Sequence, residues 1–401
     1  MRIPLTSLKK IAGAFFNKDA SGLPAYEMAV PKDESVRLLH AHLSKIKSKA
    51  PAVLFGPEKA MVEQIREETQ VLNRNNVTRT AAYYHFYNRN RDIHWALLAH
   101  LVSRNGGWNM TDLHGTLLKG ILTAADRRSF FSFLEAANHL IFLDAYPQLR
   151  LYEESIRSGK VLFHLLPAFS VSSFMQAVWS VYFKTGDRVF LTVCLIINEQ
   201  HYIQKPVVER PVFQNGVFSS WKFHVQELFQ LTSVLFPYRS KTGTALSGIK
   251  VANFLLPEER VRTGLTLYHL LYGNEKRMKD ILQFAADNPH SGSREDYWPH
   301  VFSASIERIN GTEWHSCKEK DKPPYLFSPK LTSVWEDQHH VVYSKPDWYK
   351  DTSILRFLMQ SGDAQLNPEL TNEYCMDLHS MWLLQKAKNI RLNTSLTKDR
   401  H

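Results

Sequence analysis

The sequence predicts a mainly α-helical protein, a globular bundle of many helices. Apolar residues recur at three- and four-residue spacing along most of the 401-residue chain. Helix-start residues, among them Asp187, Asn274 and the Pro257-Glu258-Glu259 run, stand directly ahead of such stretches. Strand-like segments are scarce, and at most a minor hairpin is expected near 207–218, where Pro206 and Pro211 break helices and Asn215-Gly216 favours a tight turn. That interruption is the natural boundary between two helical lobes, 51–205 and 206–390, preceded by a basic helical extension at 1–50 and followed by a frayed polar tail at 391–401.

Taken in order, the first stretch places Leu5, Leu8, Ala12, Phe15 and Phe16 on one helical face, suited to a membrane surface or to docking on the protein itself. Ser35 can cap a helix burying Val36, Leu39, Leu43 and Ile46 that stops before Pro51. Pro57 opens the next, with Met61, Ile65 and Leu72 inward. Helices follow over Ala125–Tyr146, from Pro147 to Gly159, over Phe174–Lys184 closed by Gly186, and through VFLTVCLII behind Asp187. Beyond the hairpin, helices are expected over Trp221–Phe236, Thr244–Leu255, Pro257–Tyr272 and from Asn274 to Asp287. Residues 288–329 turn to Pro, Gly, Ser and charge, so loops with short helical turns are expected. His339–Tyr343 reads as extended, and Pro346–Gln360 and Pro368–Asn389 read as closing helices.

The densest stretch runs from Asn75 to Gly120 and gathers aromatic residues, asparagines, basic residues and histidines. Thr78 or Thr80 can cap a helix through Tyr87, and Asp92 a second from Ile93 to Arg104. Gly106 and Gly107 suit a left-handed turn, and Thr111 opens a third helix carrying Leu113, Leu117, Leu118 and Ile121. The second helix is apolar nearly all round, through Ile93, Trp95, Leu97, Leu98, Ala99, Leu101 and Val102, as a helix enclosed by other helices should be. Arg104, Asn105, Trp108, Asn109 and Asp112 crowd the corner after it. They either satisfy backbone groups left unpaired at two helix ends or line a polar pocket.

The strings NNVTRTAAYYHFY and IHWALLAHLVSRNGGWNMTDL, continued by LPEERVRTGLTLYHLL, resemble the YppC-like proteins of Bacillus-type Firmicutes, a family defined only as a domain of unknown function. The resemblance implies a bacterial, cytoplasmic protein and carries over no catalytic residue, cofactor or substrate.

With 44% apolar and 12% aromatic residues, disorder is excluded for most of the length. The length exceeds the ~250–300 residues at which a single core stops growing, which suits two lobes. Cys194, Cys317 and Cys375 are widely spaced and suggest neither a metal pair nor a disulfide framework, in keeping with a reducing cytosol. The apolar run IAGAFF is shorter than the ~7–15 residues of a signal core. Val161–Phe183 carries no charge, but His164, Pro167, Gln176 and its serines make two buried elements the better reading than a membrane span. The net charge is +10, with +5 in residues 1–50 and +5 in residues 71–128, so the excess can attract an anionic ligand, nucleic acid or anionic lipid.

Catalytic and cofactor motifs are missing: the sequence contains no HExxH, CxxC, GxGxxG, P-loop or GxSxG. No metal ligand set and no cofactor are expected, since the histidines have no metal-binding spacing. Arg74, Arg79, Arg89, Arg91 and Arg104 interleave with Tyr83, Tyr84, Tyr87 and Trp108 as in nucleic-acid sites, but Tyr83 and Tyr87 lie one turn apart, as a core stripe does. Asp112 can orient a histidine or Arg104, or cap the helix beginning at Leu113, and the cap is preferred. The function class expected is therefore a non-catalytic intracellular binding protein with a polar-aromatic pocket near 104–112, using Asn76, Arg79, Arg104, Asn105, Trp108 and Asn109. The alternatives are an enzyme using His94, Arg104 and Asp112, or a protein associating with membrane or nucleic acid through residues 1–50.

Overall fold

The structure, a computed structural model, describes residues 30–45, 54–218, 233–241, 243–251, 255–309, 313–340, 347–359 and 369–398. The amphipathic segment from Leu5 to Phe16, most of the basic extension at 1–50, the expected Ile46 and Pro51 helix end and most of Trp221–Phe236 lie outside these residues, as do Tyr343 and the final residues of the tail. The described chain is mainly α-helical, with two small two-stranded sheets. Among the described residues no helix is long and apolar enough to cross a membrane.

Helix α1 (Asp33–Leu43) starts at Lys32 rather than at Ser35, whose buried hydroxyl donates to Asp187 Oδ2 at 2.8 Å. Helix α2 (Gly56–Leu72) begins with Pro57 in its first turn, as expected. Helix α3 (Asn76–Arg89) is opened by a capping box, in which Asn75 accepts from the Thr78 backbone and Thr78 accepts from the Asn75 backbone. Helix α4 (His94–Asp112) is longer than its sequence suggests. Asp92 does not cap it; its carboxylate takes the hydroxyls of Tyr152 and Tyr182 instead. Nor do Gly106 and Gly107 make a left-handed turn, since neither has a positive φ and the helix continues through both. The third helix expected from Thr111 is reduced to one turn, Thr116–Lys119, although Leu117 and Leu118 are buried as expected.

Helix α5 (Ala124–Ser158) contains Pro147 without breaking there. An internal proline costs about 3 kcal/mol. Phe142, Ala145, Tyr146, Leu149 and Leu151 are all buried around it, and at roughly 1.5–3 kcal/mol for each large side chain their packing outweighs the lost hydrogen bond. Gly159 ends α5 at φ 66°, in the left-handed region where glycine is favoured. The uncharged stretch from Val161 forms two elements, a 3₁₀ segment Phe163–Phe169 and helix α6 (Ser173–Thr185), capped by Ser172. Asp187 caps helix α7 (Arg188–Tyr202) through Phe190 N, so the β-branched run is helical.

The expected hairpin at 207–218 is a correction. Residues 204–218 form short helical turns that bury Val207, Val208, Phe213 and Val217 in the core. The hairpin lies later, where β1 (Ser233–Ser240) pairs antiparallel with β2 (Gly243–Lys250) and Pro237 sits opposite Leu246. Helices were expected there; SVLFPY is buried on both faces, so it lacks the alternation that marks a half-exposed strand. Helices α8 (Pro257–Tyr272) and α9 (Glu275–Asp287, capped by Asn274) follow as expected. A loop-rich stretch with one parallel pair, Phe302–Ser303 against Leu326–Phe327, leads to a 3₁₀ segment Thr352–Met359, shorter than the helix expected there. Helix α10 (Thr371–Lys398) closes the chain and continues into the stretch whose polar composition suggested fraying.

Cys317 and Cys375 form a disulfide, with Cα atoms 6.0 Å apart across 58 residues, and Cys194 is free and buried. This corrects the expectation of unpaired cysteines: separation along the chain says nothing about distance once a loop folds back on α10. Cysteine usage therefore lends no support to a reducing compartment.

Among the described residues two clusters of buried side chains make up the interior, and α4 belongs to both. Trp95, Leu97, Leu98 and Leu101 join the first with Phe86, Phe142, Trp179 and Phe190. Trp108 and Met110 join the second with Phe130, Leu235, Tyr297, Trp298 and Tyr374.

Leu235 faces Gly248 across the hairpin, and a Cβ at Gly248 would stand 2.1 Å from the Val234 carbonyl oxygen. That atom is backbone in a paired strand and cannot swing aside. Gly248→Ala is expected to lower unfolding stability by roughly 1–3 kcal/mol in a denaturant titration. A midpoint equal to that of the parent would contradict this register.

Candidate functional site

The second half of α4 is polar and yet enclosed: Arg104, Asn105, Asn109, Thr111 and Asp112 are all buried. A buried polar group without a hydrogen bond is costly, so each needs a partner from elsewhere in the chain. Asn105 finds one in β1. Its Oδ1 accepts from Leu235 N at 2.7 Å and its Nδ2 donates to Leu235 O at 2.8 Å, so the amide acts as an extra strand beside the hairpin.

Three arginines in this region, Arg79, Arg104 and Arg294, are each 1% exposed. Arg79 donates to Glu135 and to the backbone and side-chain oxygens of Asn73. Glu135 also meets His340 Nε2 at 3.2 Å, and the His340 ring stacks on His139. Arg294 grips Asp112 through Nε at 2.8 and 2.9 Å and through Nη2 at 2.6 Å. Its remaining donors reach Asn109 Oδ1 and the Tyr297 hydroxyl, which in turn donates to Tyr374. Burial alone would weaken proton binding by Arg294, but Asp112 and the two tyrosines outweigh it and hold the guanidinium well above its ordinary pKa. Asp112 is thus a buried ion-pair partner and not the helix cap expected for it.

Arg104 differs. None of its Nε, Nη1 and Nη2 atoms has a hydrogen-bond partner among the described residues. The guanidinium lies 5.5 Å from the Trp108 ring centre and 5.6 Å from that of Phe284. Burial pulls its pKa down to about 10, opposed by Asp296 and Tyr84, so it is still charged at neutral pH. His100, Arg104 and Trp108 follow one another at four-residue steps and share one face of α4. All three carry a buried nitrogen with no partner among the described residues: His100 Nε2, the three of Arg104, and Trp108 Nε1.

His290, from the segment after α9, closes over this face. Its Nε2 donates to Asn76 Oδ1 at 3.0 Å, its Nδ1 lies 3.5 Å from Asp296, and its ring meets Trp108 edge-on. Asn76 Nδ2 donates to Ser103 O at 2.9 Å. A Cβ at Gly107 would stand 2.3 Å from both Asn76 Oδ1 and His290 Nε2. Gly107 therefore serves close packing of that bonded pair, not a turn.

Of the ligand-binding candidates, Arg104, Asn105, Trp108 and Asn109 lie on α4 and Asn76 bonds to its Ser103, while Arg79 turns to Glu135 and Asn73; all six are buried. The enzyme set is not brought together. Along the helix axis His94 stands about 15 Å from Arg104 and about 27 Å from Asp112, at ~1.5 Å per residue. His94 Nδ1 meets the Tyr268 hydroxyl at 3.0 Å, its ring stacks on Tyr272, and burial with Arg188 lowers its pKa to about 4. Of the set suggestive of nucleic acid, Tyr83, Tyr87 and Trp108 are buried in the cores, while Arg74 and Arg89 pair with Asp337 and Glu153. Among the described residues no group of three His, Cys, Asp or Glu is placed to hold a metal.

Sequence reasoning missed Glu135, Phe284, His290, Arg294, Asp296, Tyr297 and Tyr374. The one signal was the cluster SGSREDYW at Ser291–Trp298, where charge stands directly beside large aromatics in an otherwise loop-like stretch.

Arg79→Met and Arg294→Met should each cost roughly 3–5 kcal/mol in chemical unfolding, because Glu135 or Asp112 stays buried after losing its guanidinium partner. Arg104→Met removes an isolated buried charge and should unfold at the parent denaturant concentration or above it. A loss at Arg104 as large as at the other two would make it a structural cation. Gly107→Ala should cost roughly 1–3 kcal/mol by crowding Asn76 and His290, and a parent-like melting temperature would disprove that seam.

The model of the family described as "Protein of unknown function (DUF2515)" matches residues 71–374, a span that includes every residue of this site. The chain is 42% identical over 330 residues to the Bacillus subtilis (strain 168) protein named "Uncharacterized protein YppC", covering 81% of this chain and 95% of that relative. No solved structure matches. On the family match and this relative, the chain belongs to the DUF2515 family.

Proposed function

We propose that this protein is a non-catalytic binding protein that encloses a small anion against Arg104. The observation that carries the reading is the contrast among three equally buried arginines: Arg79 and Arg294 each pair with a buried carboxylate, whereas no nitrogen of the Arg104 guanidinium has a hydrogen-bond partner among the described residues. An isolated buried charge costs several kcal/mol, and a protein that keeps one at a polar, aromatic-walled place keeps it for a ligand. We assign the binding region to Arg104 through Asp112, with Asn76, Arg79, Asn105 and Asn109 as its frame. We place the protein in the cytoplasm, and fractionation of cells with detection of the chain in the cytoplasmic fraction tests that placement.

Melting curves of the parent and Arg104→Met with phosphate, sulfate, acetate or citrate, against sodium chloride at equal ionic strength, test the reading. Ligand at a hundredfold its Kd stabilises the folded state by about 2.7 kcal/mol. At least one anion should raise the parent melting temperature by a few degrees and leave Arg104→Met unmoved. If every anion shifts both proteins equally, Arg104 holds no ligand.

A further inference from the structure

The hydrogen-bond roles around Arg104 narrow the chemistry of the ligand, on the condition that Arg104 is an anion seat at all. Arg104 brings N–H donors and no acceptor, and the Trp108 indole adds one more donor on the same helix face. His100, one turn before Arg104, is different. Its Nδ1 lies 2.9 Å from the Thr80 backbone carbonyl. A carbonyl can only accept, so Nδ1 carries the ring proton and Nε2 presents a lone pair. Burial and the neighbouring Arg104 charge oppose a second proton on the ring. Helical side chains lean toward the helix N-terminus, which carries the Arg104 guanidinium back toward His100 and the Trp108 ring back toward Arg104. The seat therefore combines several donors with one acceptor, and all three side chains are enclosed.

We infer that the seat selects an oxyanion that still carries a proton, with hydrogen phosphate as the fitting case: Arg104 donates to its bare oxygens and its O–H donates to His100 Nε2. Sulfate matches hydrogen phosphate in shape but has no proton at neutral pH, so one of its oxygens would face the His100 lone pair. A phosphate monoester is mostly a bare dianion above its second pKa of about 6 and also carries a bulky substituent into an enclosed place. Free phosphate is thus separated from both by one hydrogen bond, and from the ester also by size. A site built to take a hydroxyl donor rejects the analogue that lacks it, because a buried acceptor is left unpaired.

Calorimetric titrations of the full chain at pH 7.5 with inorganic phosphate, inorganic sulfate and glycerol 3-phosphate, at constant ionic strength, test the inference. Phosphate should bind at least about tenfold more tightly than the other two. His100→Phe should bring phosphate down to the sulfate affinity. His100→Gln, whose amide can donate to Thr80 and still offer an oxygen, should keep much of the preference. Equal binding of phosphate and sulfate, glycerol 3-phosphate binding as tightly as phosphate, or a preference that survives in His100→Phe overturns the proton-selective seat and leaves Arg104 as an anion site. Binding of none of the three probes overturns the proton-selective seat, and the melting curves with acetate and citrate then decide whether Arg104 holds any anion. If His100→Phe fails to fold, the phosphate-to-sulfate ratio of the parent and of His100→Gln still decides.

Discussion

A polar helix half buried in an apolar interior needs hydrogen-bond partners inside the protein, and in α4 Ser103, Asn105, Asn109, Thr111 and Asp112 find them. Its first half is apolar and needs only packing, which the first core supplies. Its second half draws partners from segments far away in sequence: Leu235 for Asn105, Arg294 for Asp112, and Gly292 O for the Thr111 hydroxyl. Those contacts fix the hairpin and the segment following α9 against the helix. The polar half of α4 thereby organises the second core, to which it also gives Trp108 and Met110.

The same economy explains the closure of the hairpin. Two strands alone are marginal, and each exposes a row of backbone groups. Asn105 covers the outer edge of β1. On the other side Leu370 N donates to Leu246 O and Leu246 N donates to the Thr371 hydroxyl, so the start of α10 covers β2. The Cys317–Cys375 disulfide then ties α10 to the loop-rich stretch beside Tyr374, which the Tyr297 hydroxyl reaches. A loop region without much regular structure is held in place at its two ends, by an ion pair at Arg294 and by a covalent link at Cys317.

Electrostatics in this interior is local. Arg79 with Glu135 and Arg294 with Asp112 are pairs in which Coulomb attraction and hydrogen bonds offset desolvation. Arg104 meets Asp296 only at a distance, through the field that Asp296 sets up behind His290. Aromatic faces of Trp108 and Phe284 soften the cost of its burial without supplying an acceptor. Arg104 thus differs from the other two in having no carboxylate beside it and no hydrogen-bond partner among the described residues.

The sequence by itself determined the helical class and most helix boundaries marked by local chemistry. Asp187, Asn274, Pro57, Gly159 and Gly186 act within one turn of themselves, through a cap, a fixed φ or a left-handed one, and their effects were legible. It also pointed to the stretch around α4 and to Arg104, Asn105, Trp108 and Asn109, because such a density of polar and aromatic residues beside an apolar helix is visible in one dimension. Tertiary structure decided what overrode local preference. Pro147 stays within a helix because packing outweighs one lost hydrogen bond, SVLFPY is a strand because both its faces are covered, and Gly107 is a seam because Asn76 and His290 lie on it. It alone decided that Arg294 and Glu135 find carboxylate or guanidinium partners and Arg104 does not. Pairing of buried charges depends on distances between residues up to 182 positions apart, and no periodicity or local propensity encodes those distances.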